Sequence, residues 1–168
     1  RGFQGAAKRT VQVVVTPPVI TLSPGSHAKD SADGSIVYHS VKSRNPVLFP
    51  DPNPYLDPGY SAKDYAGRDL TTFVTVERST SFNNDDIGVY TFNYAVDDRQ
   101  ARGIALPDGQ PVSSSVTRTV YVDDLTPPRI QLRGETDLVV EAATTYTDAG
   151  AIAYDNYDDG VSLTALIK

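Results

Sequence analysis

The chain has no cysteine, no methionine and no tryptophan among its 168 residues. Without Cys there is no disulfide, no thiolate metal site and no cysteine nucleophile, so stability must come from packing and from any bound ions. The lack of Met, with Arg at position 1, is what a piece of a longer or processed chain is expected to show. Basic residues are in the minority: 15 Lys and Arg stand against 21 Asp and Glu, for a formal net charge of −6. That balance argues against nucleic acid as a partner, because affinity for phosphate comes mostly from Lys and Arg. It disfavours an anionic membrane surface for the same reason. No apolar run approaches the roughly 18–20 residues that span a bilayer, so direct membrane insertion of this stretch is not expected. No signal-peptide pattern is present in it, and targeting segments are expected outside these residues.

What is there fits a folded β-rich chain. Hydrophobic residues make up 39% and charged ones 21%, enough apolar surface to build a core. Val, Ile, Thr and Tyr dominate the apolar runs, and such side chains suit a pleated, half-buried surface better than a helix. Tyr90, Phe92, Tyr94 and Val96 alternate with Thr91 and Asn93, which puts the four on one face of a strand. Val116, Arg118, Val120 and Val122 interleave with Thr117, Thr119 and Tyr121 in the same way, and Val11, Val13 and Val15 repeat the pattern near the start. Asp-Gly, Asn-Asn-Asp-Asp and Pro-Asp-Gly turns break the strands, predicting an antiparallel sandwich.

Laying the chain on itself reveals a repeat. RTVQVVVTPPVITL from Arg9 matches RTVYVDDLTPPRIQL from Arg118, and Thr126, Pro127, Pro128, Ile130 and Leu132 follow Thr16, Pro17, Pro18, Ile20 and Leu22 by 110 residues. A second match sets YLDPGYSAKDYAGRDLT from Tyr55 against YTDAGAIAYDNYDDGVSLT from Tyr146, at an offset of 91. The shorter offset places an insertion in residues 23–54 of the first copy, expected to form a hairpin or a long loop. The repeat divides the chain into residues 1–16, the last strand of a preceding copy; 17–125, a complete copy; and 126–168, the opening of the next. Paired prolines at each boundary fix φ and remove N–H donors, so a ladder must end there and the link is stiffened.

These motifs, TPPVITL or TPPRIQL, then TYTDAGAIAYDNYDDG, GVYTFNYAVDD and RTVYVDD, resemble the immunoglobulin-like repeats of bacterial and algal surface proteins, a group similar to hyalin repeats. The resemblance covers nearly the whole chain apart from residues 23–54 and the loop at 100–115. It implies tandem immunoglobulin-like antiparallel β-sandwich repeats at the cell surface, working as a spacer, an adhesin stalk or a filament subunit. Partners would be neighbouring repeats of the same chain, neighbouring protomers or surface glycans.

Candidate chemistry is sparse. Carboxylates gather near the boundaries, and Asp123, Asp124, Asp148 and Asp155 are the set from which a Ca²⁺ site is expected, with Asp97, Asp98, Asp158 and Asp159 nearby in the pattern. Asp is equally a common turn former, and no EF-hand spacing is present. His27 and His39 stand outside any metal-binding spacing, and no catalytic constellation is expected, so the chain reads as a non-enzyme. Tyrosines at 55, 60 and 65 and at 146, 154 and 157 raise the alternative of a carbohydrate-binding module. Repeat-equivalent tyrosines such as Tyr55 and Tyr146 are more simply core residues. Asn-linked glycosylation has no acceptor, and residues 113–119 are where O-glycans of a surface glycoprotein would first be sought.

Overall fold

A computed structural model describes residues 8–11, 16–99 and 112–168. Val13, Val15 and most of the 100–115 loop lie outside them. The strands are β1 (Val19–Leu22), β2 (Ile36–Ser40), β3 (Tyr60–Lys63), β4 (Thr75–Arg78), β5 (Gly88–Asp97), β6 (Ser113–Asp123), β7 (Arg129–Leu132) and β8 (Ala151–Tyr154). The named helical elements are a 3-10 turn at Thr71–Phe73 and a five-residue α1 at Gly160–Thr164, and Asp98 and Arg99 are helical after β5. The fold is all-β.

The alternation in β5 governs the core. Tyr90, Phe92, Tyr94 and Val96 all point inward, while Thr91 faces solvent. β5 pairs antiparallel with β6, bringing Tyr90 opposite Val120, Phe92 opposite Arg118 and Tyr94 opposite Val116. The sheet order is β2-β6-β5-β4, and the separate β1-β3 pair lies across it. Leu22 joins Val41, Tyr90, Phe92, Tyr94, Val120 and Val122 in one cluster, with Ile20 and Tyr60 packed against it. Each fully buried large side chain contributes about 1.5–3 kcal/mol. Phe82, Tyr55 and Phe92 meet edge to face at 5.1–5.5 Å, the arrangement favoured by ring quadrupoles.

The insertion departs from the expected hairpin or loop, and the sheet is mixed instead of purely antiparallel. β2 runs parallel to β6, from Ile36 beside Thr119 to Ser40 beside Asp123. A hairpin needs two strands of one sheet joined by a tight turn, whereas here the chain crosses from the β1 layer to the β6 layer between residues 23 and 35. A crossover of that kind permits parallel pairing. Gly34 makes the crossing possible: its φ is +72°, and a Cβ there would lie 2.5 Å from the Ser23 carbonyl oxygen. Gly34→Ala is therefore expected to lower stability by more than about 1 kcal/mol, read as a reduced urea midpoint with an unchanged m-value.

The repeated segments fold alike. β1 and β7 each start directly after the paired prolines. β1 pairs with β3 from Val19–Lys63 to Leu22–Tyr60, and β7 pairs with β8 from Arg129–Tyr154 to Leu132–Ala151. Shifted by 110 and 91 residues the two registers coincide. Their hydrogen bonds coincide too. Ser23 N–H donates to the Gly59 carbonyl at 2.9 Å and Arg133 N–H to the Gly150 carbonyl at 2.8 Å. Asp57 accepts from Gly59 N–H as Asp148 does from Gly150 N–H. Thr71 Oγ1 accepts from Ala62 N–H as Thr164 Oγ1 does from Ala153 N–H.

The surroundings of the two pairs differ. β1 and β3 are covered by the β5–β6 sheet, whereas every residue of β7 is exposed. The second pair rests instead on the end of the first copy's insertion. Arg44 N–H donates to the Asn156 carbonyl at 2.6 Å, the Arg44 guanidinium lies 3.7 Å above the Tyr157 ring, and Arg129 lies 4.9 Å above Phe49.

Candidate functional site

Arg118 sits on the core face of β6 with no exposed surface, and all five of its N–H donors are used. Nε donates to the Gly34 carbonyl at 2.8 Å, and Nη2 to the carbonyls of Ser23 and Gly59 at 2.8 and 3.0 Å. Nη1 donates to Asp57 Oδ1 at 2.5 Å and to the Tyr94 hydroxyl at 3.2 Å. The Tyr94 hydroxyl in turn donates to the other Asp57 oxygen. Burial, then the hydrogen bond to Asp57, raises the Tyr94 phenol above its ordinary range, and burial pushes Tyr55 up to about 12. Both rings stay protonated. The guanidinium thereby ties two connections, residues 23–35 and 41–59, to the sheet as an internal fastening, and the alternation of β6 placed it on this face without revealing that role.

The histidines form no triad. The His39 imidazole packs edge to face on Tyr55 at 5.5 Å, and burial lowers its pKa, which keeps it neutral. Its Nε2 has no hydrogen-bond partner. His27 Nδ1 accepts from Lys29 N–H at 3.2 Å, and Asp30 accepts from the backbone N–H of His27 and Tyr38. These are turn contacts.

The tyrosines divide between core and surface. Tyr55 and Tyr60 pack against Phe92 and Tyr94, while Tyr65 and Tyr146 are exposed and Tyr157 lies under Arg44. In the segment considered for O-glycans, Ser113, Ser115 and Thr117 are the exposed positions of β6.

The carboxylates carry the closest grouping of ligand-type side chains. Asp124, just past β6, meets Asp155 and Asp158 of the second copy, with one oxygen of each within 4.8 Å of the others. Asp124 and Asp155 were expected to share a site. Asp158 joins them, and the other two expected members stand apart. Asp123 Oδ1 accepts from Asp124 N–H, and Asp148 accepts from Gly150 N–H and the Tyr146 hydroxyl. Adjacent residues at a strand end point to opposite sides, so Asp123 and Asp124 cannot both face the second copy. Asp97 and Asp98 lie elsewhere, Asp98 being buried and 3.2 Å from Arg68 Nη2. Burial, reinforced by the charges of Asp155 and Asp158, raises the pKa of Asp124.

No family model and no curated protein matches the chain. Among solved structures, the crystal structure of a lipoprotein from Bacteroides thetaiotaomicron is similar over 81% of this chain, at 18% identity and a TM-score of 0.38. The match covers 54% of that protein, so the chain spans about half its length.

Proposed function

We propose that the chain is a structural spacer: successive β-sandwich units, joined through paired prolines and braced where they meet, that build an extracellular stalk or filament and have no catalytic role. The observation that carries the reading is the second strand pair, which repeats the register and hydrogen bonds of the first while being held against it by residues 43–49 of the insertion. A module that acts by setting distance needs a defined angle between neighbours more than it needs a cleft. Two prolines restrict the link, and the Arg44 and Arg129 contacts supply the brace. The likeness of the TPP, YTDAG and RTV motifs to surface-protein repeats supports the extracellular setting.

The absence of cysteine makes the test direct. Spin labels on Glu77→Cys in β4 and Gln131→Cys in β7 are expected to give one narrow distance distribution by pulsed electron paramagnetic resonance. Adding Arg44→Ala and Phe49→Ala is expected to broaden it. A broad distribution in the chain with the brace intact would remove the spacer reading.

A further inference from the structure

β1 and β7 are equivalent strands with unequal cover, and the first copy shows what belongs on the second. Ile20, Leu22, Tyr60 and Ala62 form one face of the β1–β3 pair. β6 closes that face: Leu22 lies in one cluster with Val120 and Val122, with Ile20 and Val116 packed against it. Ile130, Leu132, Ala151 and Ala153 form the corresponding face of β7–β8. There Ile130 and Leu132 are exposed, at 65% and 56%.

The polar half of the contact is present as well. In the first copy Arg118 of β6 binds the Asp57 carboxylate and the carbonyls of Ser23 and Gly59. Their repeat equivalents are Asp148, Arg133 and Gly150. Asp148 and Gly150 line one concavity with Leu132 and Ala151, and among the described residues no ion pair joins Asp148 to a Lys or Arg. The chain also holds a second segment of the β6 kind. RTVQVVV at 9–15 matches RTVYVDD at 118–124, which sets Arg9, Val11 and Val13 in the places of Arg118, Val120 and Val122. Arg9 and Val11 are exposed and belong to no strand. Charge favours the meeting of the two regions. Residues 1–15 hold three basic residues and no acidic one, whereas residues 126–168 hold seven acidic residues against three basic.

We propose that the β7–β8 face is a docking surface for a second molecule of this chain, which lays its residues 9–15 there as β6 lies on β1–β3. Arg9 takes at Asp148 the place that Arg118 takes at Asp57, and Val11 and Val13 cover Leu132 as Val120 and Val122 cover Leu22. The contact is heterologous, one end of a molecule against the other end of the next, so molecules join in open series. The inference deepens the spacer reading by giving it an end-to-end partner, and it rests on the same repeat.

The test is sedimentation velocity of the full chain at concentrations from about 10⁻⁵ to 10⁻³ M. A segment this short buries less than the about 1,200 Å² of a stable interface, so association is expected with Kd on the order of 10⁻⁴ M, weakening as NaCl is raised. Arg9→Glu and Leu132→Glu each change an exposed side chain, and each alone is expected to weaken association roughly tenfold or more. Mixed in equal amounts, the two variants are expected to form a dimer and nothing larger, since one keeps an intact β7–β8 face and the other an intact Arg9 segment. Monomers throughout that range, or association indifferent to either variant, would overturn the proposal. So would β7 amides protected from hydrogen exchange in a monomer and released by Arg9→Glu, the sign of a segment folded back on its own molecule. Monomers with a narrow spin-label distribution would refute this surface and leave the spacer standing; association with a broad distribution would do the reverse.

Discussion

Arg118→Met is expected to lower folding stability by about 3–5 kcal/mol, the cost of removing one partner from a buried, fully bonded charge. The replacement fills similar volume but leaves the Asp57 carboxylate and the carbonyls of Ser23, Gly34 and Gly59 without their donor. For a chain of this size that corresponds to a fall in Tm of roughly 6–20 °C. Arg118→Lys keeps the charge with three donors on a single nitrogen and cannot reach partners spread around a planar fork, so its loss should be intermediate. With no Trp in the chain, tyrosine fluorescence and far-ultraviolet circular dichroism follow the urea transition. A Met variant within about 1 kcal/mol of the parent would show that the guanidinium's hydrogen bonds contribute no more than an ordinary pair.

The second large effect separates two leucines that the repeat makes equivalent. Leu22 is 5% exposed within the main cluster, and Leu132 is 56% exposed on β7. Leu22→Ala should therefore cost about 2–5 kcal/mol, the transfer and cavity terms of a core truncation. Leu132→Ala should stay within about 0.5 kcal/mol. Both are measured by urea unfolding of the same chain. Equal costs would mean that something covers β7 in solution as the β5–β6 sheet covers β1.

Much of this fold was legible because alternation is a local property. The run from Tyr90 to Val96 declares its inner face within seven residues, and the offsets of 110 and 91 announce that β1–β3 will recur as β7–β8. Strand direction is not local. Residues 23–54 read only as a hairpin or a long loop, and nothing in Ile36–Ser40 says that β6 lies beside it and runs the same way. Arg118 shows the same limit more sharply. Its place on the inner face followed from spacing, but its partners lie 24 to 95 residues away and three of them are backbone carbonyls, which carry no residue identity.

The carboxylate site was half legible. Junctional position pointed to Asp124 and Asp155, but composition could not choose between Asp123 and Asp124, since only strand geometry decides which one turns toward the neighbour. Asp148 was drawn in by its repeat position, where it serves the Gly150 turn.

The brace from residues 43–49 belongs to the 19-residue excess of one copy over the other, and that excess is not a constant of the repeat. On the spacer reading, an array of such units would not bend uniformly. A unit carrying the extra segment would immobilise its successor, and a unit without it would leave a hinge governed by the prolines alone. The persistence length of the fibre would then vary along its contour, written into the chain by where the long copies fall among the short ones.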